Sequence, residues 1–318
     1  MTIKPRAILI AGPTASGKSA LALALAEAAN GTIINADALQ VYSELKILTA
    51  RPGPEAMARA RHTLYGHVTV REAYSVARWL EHARVSVAAV ERGGRLPILV
   101  GGTGLYFRAA LEGLAEIPPI PAEVRDEANA LFEVEGAEGF RARLAELDPV
   151  AAAKWPLNDR YRAMRAYEVV TATGRTLGEW YAGAHRPLFA EERTLRLALL
   201  PDRETLYSAI ETRLSAMLEA GALDEARAVL ALDLPPTRPA MKALGLAELG
   251  QHLAGKIELS AAAEATIART RRYAKRQMTW IRGQMASWKR LETQEIETAI
   301  NGKGRLLLNL VDPQGTLD

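Results

Sequence analysis

The sequence contains no cysteine in its 318 residues, so it forms neither a disulfide nor a thiolate metal site. No apolar run approaches the ~20 residues of a membrane-spanning helix. Residues 1–6 also lack the apolar segment of a signal peptide. We therefore expect a cytoplasmic protein with no membrane partner. The five histidines show no metal-ligand spacing, which predicts no histidine metal site; they are His62, His67, His82, His185 and His252.

The sequence also lacks a large net charge, because 40 basic and 37 acidic residues leave a net charge of only +3. That balance by itself does not argue for nucleic-acid binding. The distribution is uneven, since Arg269–Arg290 carries eight basic residues and no acid, with three aromatic residues interleaved. This pattern is typical of a helix that contacts RNA phosphates, with Arg272 and Arg276 as contacts, but a solvated helix face looks the same.

The segment G-P-T-A-S-G-K-S matches the phosphate-binding P-loop pattern G-x-x-x-x-G-K-[ST]. Its residues, predicted to bind a diphosphate, are Gly12, Pro13, Thr14, Ala15, Ser16, Gly17, Lys18 and Ser19. The apolar run Ala7–Ala11 precedes it, and an Ala/Leu-rich stretch from Ser19 to Asn30 follows, with Gly31 as the expected helix cap. The loop should thus connect a buried strand to a helix, the arrangement that aims backbone N–H groups at phosphate.

The chemistry of that loop predicts its ligand. Lys18 supplies a mobile cation, and the Ser19 hydroxyl suits Mg²⁺, the cofactor that we expect, with Ser19 as its protein ligand. The sequence therefore predicts a site for a di- or triphosphate. A glycine turn that binds nothing is the alternative.

Asp37 directly follows a second short apolar run, Thr32–Ala36. Ligands of open α/β sheets bind beyond the carboxyl ends of the strands, so Asp37 should face the same crevice as the P-loop. A carboxylate there can bind a metal through water or act as a general base. It can also be the N-cap of the next segment. A third run, Pro97–Val100, ends in glycines without an acid, which argues against an ATPase machine and favours a small-molecule transferase or kinase.

Short apolar runs alternate with Ala-rich helical patterns over residues 1–112, which we predict to be the first part of an α/β core. The expected fold is a P-loop NTPase-like parallel sheet flanked by helices. The breaker cluster Ile117–Pro121 lies at the boundary to an all-helical insertion domain, residues 113–190.

Residues 191–318 are predicted to return the chain to the same core. Leu195–Pro201 has the pattern of a buried strand, and helical patterns follow, the last over Ala261–Trp288. We expect this last helix to present the basic run. Arg305–Val311 has the pattern of a late strand.

Several motifs together resemble the bacterial tRNA dimethylallyltransferases. Besides the P-loop, they are Asn35–Tyr42, Gly101–Tyr106, Asn158–Val169 and Thr270–Trp280. The resemblance runs from about Ala7 to about Arg290, with the motifs in the expected order and spacing. It implies transfer of a dimethylallyl group from dimethylallyl diphosphate to N6 of the adenosine on the 3′ side of the anticodon, tRNA position 37. The product would be N6-isopentenyladenosine in tRNAs that read codons beginning with U.

The same resemblance implies the roles of site residues. Asp37 would accept the N6 proton and Thr103 would position the amine, while Lys18 and Arg213 would stabilise the diphosphate leaving group. Arg213 can also be a surface helix residue. The implied tRNA-binding residues are Asp37, Ala38, Leu39, Gln40, Thr103, Arg125, Tyr161, Arg162, Ala163, Met164, Arg165, Arg272 and Arg276. The resemblance also implies that the insertion domain, residues 113–190, faces the tRNA. The expected partners are the tRNA anticodon stem-loop and dimethylallyl diphosphate, and we expect a monomer.

The chain departs from the family pattern at five positions, which are Ala38, Ser43, Leu48, Tyr161 and Leu246. These departures bear on tRNA contacts more than on the chemistry. Two other functions remain open from the residues alone. One is a P-loop kinase of a nucleoside or small alcohol, whose lid would use arginines of the insertion. The other is a non-catalytic RNA-binding switch that uses the P-loop for regulation.

Overall fold

The computed structural model describes residues 5–183 and 185–302. The chain forms two compact units: the first ends at Leu111 and resumes at Leu188, and the second comprises Glu112–Pro187. Over the described residues, no helix is long and apolar enough to cross a membrane. The late strand predicted at Arg305–Val311 lies outside the described residues.

The first unit is built on one parallel sheet. Its strands are β1 (Ala7–Ala11), β2 (Gly31–Asn35), β3 (Arg61–Thr63), β4 (Leu96–Gly101), β5 (Thr194–Leu199) and β6 (Lys289–Leu291). The order across the sheet is β3-β2-β4-β1-β5-β6, and every neighbouring pair is parallel. All five residues of β1 are buried, as expected for a parallel strand covered on both faces. The predicted P-loop-like parallel sheet is confirmed.

Helices connect and cover these strands. In chain order they are α1 (Lys18–Ala28), α2 (Pro54–Arg59), α3 (Val76–Arg92), α4 (Gly104–Glu112), α5 (Ala122–Leu147), α6 (Pro149–Lys154), α7 (Arg160–Thr173), α8 (Leu177–Tyr181), α9 (Arg203–Glu219), α10 (Ala222–Leu230), α11 (Leu246–Leu253), α12 (Leu259–Gln284) and α13 (Thr293–Asn301). The β-helix-β connections place α1 between β1 and β2 and α3 between β3 and β4.

One face of the sheet carries a continuous apolar core. Ile8 and Ile10 of β1 point to the same side because strand side chains alternate, and Leu21 and Leu25 of α1 pack against them. Ile296 of α13 belongs to the same cluster. Burying each such side chain contributes about 1.5–3 kcal/mol, so this layer holds the strand-loop-helix unit of the P-loop in place.

Aromatic residues anchor the start of α3 and of α4 near the carboxyl ends of the strands. Trp79 is fully buried, donates from Nε1 to the Asn35 carbonyl at 2.8 Å, and stacks on Tyr106 with ring centroids 4.4 Å apart. This indole therefore supports the backbone two residues before Asp37. Phe107 meets Trp288 edge to face, 5.4 Å between centroids.

The second unit consists of α5 to α8, which confirms the all-helical insertion. Its core packs Phe140 and Leu144 of α5 against Ala166 and Tyr167 of α7. The long α5 is interrupted at Gly136, whose φ of 67° is left-handed and kinks the helix. Asp148, buried to 2% exposure, accepts the Ala151 N–H at 2.9 Å and caps α6.

Element boundaries differ from the predictions at two helix ends. α1 stops at Ala28, and the left-handed residue after it is Asn30 (φ 49°), so the expected cap at Gly31 is wrong. Gly31 begins β2, where a Cβ would lie 2.5 Å from Ile98 Cδ1. α12 ends at Gln284, so the last two residues of the basic run lie in β6 rather than in a helix.

Candidate active site

The P-loop joins β1 to α1 and turns through two residues with left-handed backbone, Ala15 (φ 64°) and Gly17 (φ 81°). Such turns direct successive N–H groups into one concavity at the helix N-terminus, which binds anions. A Cβ at Gly12 would lie 2.5 Å from Ser16 Oγ and 3.2 Å from Leu199 Cβ, so a side chain at this position would displace the Ser16 hydroxyl. The buried Ser16 hydroxyl has no hydrogen-bond partner among the described residues, and a phosphate oxygen would supply one.

Two cations and one carboxylate lie close together beside this loop. Lys18 Nζ donates to the Pro13 carbonyl at 3.1 Å, which holds the ammonium over the loop. Burial lowers the pKa of Lys18 to about 8, Asp37 counteracts that shift, and Arg213 adds to it. Burial also lowers the pKa of Arg213, again against the attraction of Asp37. An anionic ligand would relieve the cost of enclosing these two cations.

The loop after β2 holds Asp37 in place through the fully buried side chain of Asn35. Asn35 Oδ1 accepts the Asp37 N–H, and Asn35 Nδ2 donates to the Asp37 carbonyl, both at 2.9 Å. Asp37 Oδ1 accepts the Leu39 N–H at 2.9 Å. The capping role foreseen as an alternative thus exists, but it closes a turn and does not begin a helix. Oδ2 makes no hydrogen bond to the described residues and can receive a proton.

Thr103 ties the loop after β4 to the loop that carries Asp37. Thr103 Oγ1 accepts the Ala38 N–H at 3.0 Å, and the Thr103 N–H donates to the Ala36 carbonyl at 3.3 Å. The two loops touch so closely that a Cβ at Gly101 would lie 2.0 Å from the Ala36 carbonyl oxygen. Because Oγ1 is an acceptor in this contact, its own proton is available to a substrate.

A pocket beside Asp37 is lined by both polar and apolar side chains. Its charged and polar lining consists of Thr14, Asp37, Thr49, Arg213, Thr266 and Thr270. Its apolar lining comes from α9, α12 and the segments before α2 and α11, and consists of Leu39, Leu48, Ile210, Leu214, Met217, Leu244 and Ile267. Tyr273 of α12 also lines it, and burial, followed by the nearby Asp37, raises the pKa of this phenol. A pocket with charged and apolar side chains in its lining fits a ligand in which a charged group is attached to a short hydrocarbon.

Gln277 of α12 is not among the predicted site residues, yet it connects two parts of the site. It is buried, its Oε1 accepts the Thr14 N–H at 2.9 Å, and its Nε2 donates to the Gly102 carbonyl at 2.9 Å. A Cβ at Gly102 would lie 2.1 Å from that Nε2. The P-loop and the loop of Thr103 are therefore joined through one amide. The available signal was an uncharged amide inside the basic run.

Comparison with known proteins identifies the family. The IPP transferase family model matches residues 40–284. The tRNA dimethylallyltransferase of Phenylobacterium zucineum is 52% identical over 296 residues, 93% of this chain and 95% of that protein. The enzyme of that name from Rhodopseudomonas palustris (strain ATCC BAA-98 / CGA009) is 49% identical and covers 94% of this chain and 93% of its own. The chain belongs to the tRNA dimethylallyltransferase family.

Solved structures agree with this family membership. The full-length tRNA isopentenylpyrophosphate transferase of Bacillus halodurans aligns with a TM-score of 0.69 and 29% identity over 99% of both chains. A eukaryotic dimethylallyltransferase acting on tRNA aligns with a TM-score of 0.82 and 26% identity, over 98% of this chain and 81% of that one. The family resemblance predicted from the motifs is confirmed.

Of the catalytic residues predicted for this family member, the structure brings Lys18, Asp37 and Arg213 together, and Thr103 reaches them through the Ala38 backbone. Thr14 is the P-loop residue that lines the pocket. The individual roles of these residues stay predictions.

The basic run of this family member is less one-sided in space than in sequence. Arg269 pairs with Glu248 of α11 at 3.0 Å, and Arg271 pairs with Glu211 of α9 while lying over the Tyr207 ring. Acids from neighbouring helices thus neutralise two of its cations. The basic residues of α12 that are exposed are Arg272, Lys275, Arg276 and Arg282. The two predicted phosphate contacts are in this exposed set.

The remaining predicted tRNA-binding residues lie in the second unit. Arg125 is exposed on α5, and Tyr161, at the start of α7, is 79% exposed. Ala163 and Met164 are half-buried against the core of this unit, so they serve its packing. The arginines between and after them pair with acids of α7 and its cap: Arg162 with Asp159 at 3.1 Å, and Arg165 with Glu168 at 3.6 Å.

The residues beside the P-loop also fit a divalent cation that binds together with a phosphate ligand. Ser19, in the first turn of α1, is exposed, and Asp37 supplies a carboxylate near Lys18. Within the described ranges no group of three or more His, Asp or Glu side chains converges to form a metal cage. A hard cation such as Mg²⁺ typically keeps waters and takes few protein ligands besides substrate phosphates, which matches this donor set.

Proposed function

We propose that the protein transfers a dimethylallyl group from dimethylallyl diphosphate to N6 of the adenosine 3′-adjacent to the anticodon, tRNA position 37. The product is N6-isopentenyladenosine in tRNAs that read codons beginning with U. The observation that carries this proposal is the pocket that is lined by the charged side chains of Asp37 and Arg213 and by seven apolar side chains. Membership of the family and the names of its relatives support it.

The charged side chains would hold the diphosphate and the apolar side chains the five-carbon chain. P-loop amides, Lys18 and Arg213 would bind the diphosphate oxygens. The apolar side chains would exclude water from the allylic carbon, which limits its hydrolysis.

In the reaction the allylic carbon–oxygen bond breaks and a carbon–N6 bond forms. Negative charge grows on the leaving diphosphate, and the preorganised cations Lys18 and Arg213 would stabilise it. The proton that N6 loses would go to Oδ2 of Asp37, the oxygen that the Leu39 turn leaves free. The Thr103 hydroxyl would orient the amine. Mg²⁺ bound by Ser19 and the diphosphate oxygens would supply further charge neutralisation.

The adenine must leave its stack to reach Asp37, as in other enzymes that modify bases. We propose that the segment Asp37–Gln40, Arg125, Tyr161 and the exposed arginines of α12 contact the anticodon stem-loop. Arginine planes and tyrosine rings stack on splayed bases, and exposed cations contact phosphates. We also propose that the protein works as a monomer in the cytoplasm.

One mixture tests these functions together. The protein is incubated with labelled dimethylallyl diphosphate, ATP and unmodified tRNA, with and without excess EDTA. Prenyl label in tRNA that disappears with EDTA and returns with Mg²⁺ is the expected result. Phosphoryl transfer from ATP without prenyl transfer would establish the kinase, and neither reaction would leave an RNA-binding switch. Full prenylation in EDTA would overturn the metal assignment alone.

A further inference from the structure

Three side chains outside the active site converge on one point at the surface of the first unit. His67 Nε2 lies 3.2 Å from His82 Nδ1 and 3.2 Å from the Tyr74 hydroxyl, and that hydroxyl lies 3.0 Å from His82 Nδ1. His67 and Tyr74 belong to the loop before α3, and His82 belongs to α3 itself. The three donor atoms thus form a nearly equilateral triangle.

Ordinary hydrogen bonds account for only two edges of this triangle. A neutral imidazole nitrogen either donates or accepts, because the nitrogen that carries the proton has no free in-plane lone pair. For all three edges to be hydrogen bonds, one ring N–H must serve two acceptors and one ring lone pair must serve two donors. Two nitrogens and one oxygen within 3.2 Å of one another also have the spacing of ligands around a cation.

We propose that His67, Tyr74 and His82 form a binding site for a first-row transition-metal dication, with Zn²⁺ as the expected occupant. In a tetrahedral site with metal–nitrogen distances of about 2.0 Å, ligand atoms lie about 3.3 Å apart, close to the edges of the triangle. Imidazole nitrogen and phenolate oxygen are both ligands that such ions accept. A water molecule would complete the coordination.

The surroundings of the site support this assignment. His67 is exposed, so a cation has access from solvent, while Tyr74 is only 7% exposed and held in place. Arg78 lies over the Tyr74 ring at 5.3 Å, and its charge is paired with Glu72 at 3.1 Å.

Sequence spacing gave no sign of this site. The two histidines are 15 residues apart and no short motif joins them, and the third ligand is a tyrosine. A bound ion would link the 67–74 loop to α3. That loop in turn touches the segment after Asp37, because the Gly66 N–H donates to the Gln40 carbonyl and the Val68 N–H to the Val41 carbonyl, both at 3.0 Å. The ion would therefore stiffen the proposed tRNA-facing wall.

The test uses the full chain without an affinity tag and without any diphosphate. Zn²⁺ binding is measured by calorimetry, and Co²⁺ serves as a spectroscopic probe because its tetrahedral complexes absorb in the visible range. We expect one equivalent of Zn²⁺ and a visible Co²⁺ spectrum. Both should be lost, or weakened at least ~10-fold, in His82→Ala and in His67→Ala. Tyr74→Phe, which keeps the ring and its packing, should weaken binding and change the Co²⁺ spectrum.

His252→Ala is the matched control, because His252 lies on α11 and bonds the Ile257 carbonyl instead. It should bind Zn²⁺ as the parent does. Zn²⁺ should raise the Tm of the parent and of His252→Ala but not of the two ligand variants, whose metal-free Tm reports whether they fold. One equivalent of Zn²⁺ bound equally well by His82→Ala, or no binding by the parent, would overturn the proposal.

Discussion

The two carboxylate oxygens of Asp37 have different surroundings, and we propose a different role for each. One oxygen closes the turn on Leu39, and the other is the oxygen that we propose receives the proton of the substrate amine. The substitution Asp37→Asn separates these tasks, because an amide oxygen still accepts the Leu39 N–H while its basicity is lost. Site position and turn geometry should therefore survive the change.

For Asp37→Asn we expect kcat to fall by ~10²–10⁴-fold with little change in tRNA affinity. Steady-state kinetics and filter binding of tRNA measure the two quantities. Asp233→Asn is the matched control, since Asp233 is exposed on a loop, has a left-handed φ of 47° that asparagine tolerates, and should change neither. A variant that loses tRNA affinity and keeps kcat would make Asp37 a docking residue.

If Lys18 binds the diphosphate as proposed, we expect the affinity for that ligand to depend on pH. Burial lowers the pKa of Lys18 in the free protein to about 8, so the ammonium loses its proton as the pH rises through that value. The affinity for dimethylallyl diphosphate should therefore be constant below the pKa and fall by up to ~10-fold per pH unit above it. Calorimetric titration from pH 6.5 to 9.5, about one and a half units on either side, covers this window.

Lys18→Met is the comparison that assigns this pH dependence. It should bind the diphosphate more weakly at every pH, prenylate ~10²-fold more slowly or worse, and show no inflection near the parent's pKa. If the inflection persists in Lys18→Met, another group is responsible, and a near-normal rate would place the diphosphate outside the P-loop.

At the scale of elements, α12 does more than present basic residues. Its buried Gln277 bonds both the P-loop, for which we propose diphosphate binding, and the loop of Thr103, for which we propose positioning of the base. The helix therefore fixes these two loops relative to each other. Gln277→Met keeps the length of the side chain and removes both hydrogen bonds. It leaves the Thr14 N–H and the Gly102 carbonyl without these partners.

We expect Gln277→Met to lower the free energy of unfolding by about 1–3 kcal/mol. We also expect kcat to drop ~10-fold, with a smaller change in KM, because misplacement affects the transition state more than binding. Gln277→Glu, which keeps the acceptor for Thr14 but opposes the Gly102 carbonyl, should show the same kinetic pattern. Gln284→Met, at the exposed end of α12, is the control. A stability loss with unchanged kcat would reduce Gln277 to a packing role.

The exposed basic residues of α12 lead to a prediction about the salt dependence of tRNA binding. Replacing Arg272 and Arg276 together with glutamine should weaken tRNA binding and reduce the log–log salt slope by about one unit per lost contact. Dimethylallyl diphosphate binding without tRNA should be unchanged. Arg269→Gln is the control, because Arg269 already pairs with Glu248 and should cost stability without altering the salt slope. An unchanged slope in the double variant would place the RNA elsewhere.

The elements that could be predicted from the sequence are those with long, regular apolar patterns. The buried strands of the P-loop sheet and the helices that cover them have such patterns, and the structure contains them within a few residues. The edge strand β3 (R-H-T) and β6 (K-R-L) were missed, because three-residue strands with charged side chains carry no periodicity. Their pairing depends on the rest of the sheet being in place.

Site residues could be predicted from the sequence where a short motif contains them within one loop. The P-loop and Asp37 are local patterns at strand ends, so topology alone brings them together. Gln277 lies more than 250 residues from Thr14, to which it bonds, and only the fold shows that contact. Similarly, the pairing of Arg271 with Glu211 depends on how α9 packs against α12.

On the scale of the whole molecule, the second unit is inserted into the first at one point. The chain leaves the first unit at Leu111 and returns at Leu188, and the Leu188 and Phe189 N–H groups both donate to the Ala110 carbonyl, at 2.7 and 3.2 Å. Entry and exit are therefore adjacent. Each unit also has its own apolar core, so neither requires the other to bury its side chains.

This adjacency allows residues 112–187 to be replaced by a short Gly/Ser linker without stretching the first unit. The shortened protein keeps the P-loop, Asp37, Arg213 and the apolar side chains that line the pocket, all of which belong to the first unit. We expect it to fold cooperatively and to bind dimethylallyl diphosphate within about threefold of the parent affinity, a difference of under ~1 kcal/mol. Circular dichroism and calorimetry measure these properties.

The same protein should fail to prenylate tRNA. An unstacked adenine needs walls that hold the single-stranded loop, and Arg125 and Tyr161, proposed for that role, are removed with the second unit. The variant Tyr161→Ala in the full-length protein removes only one of these side chains. It should weaken tRNA binding by about 1–3 kcal/mol, the contribution of one stacked base, and leave diphosphate binding unchanged. If the shortened protein folds, binds the diphosphate and still modifies tRNA at the parent rate, the second unit has no part in holding the anticodon loop. The first unit would then recognise tRNA alone, through α12 and the segment after Asp37.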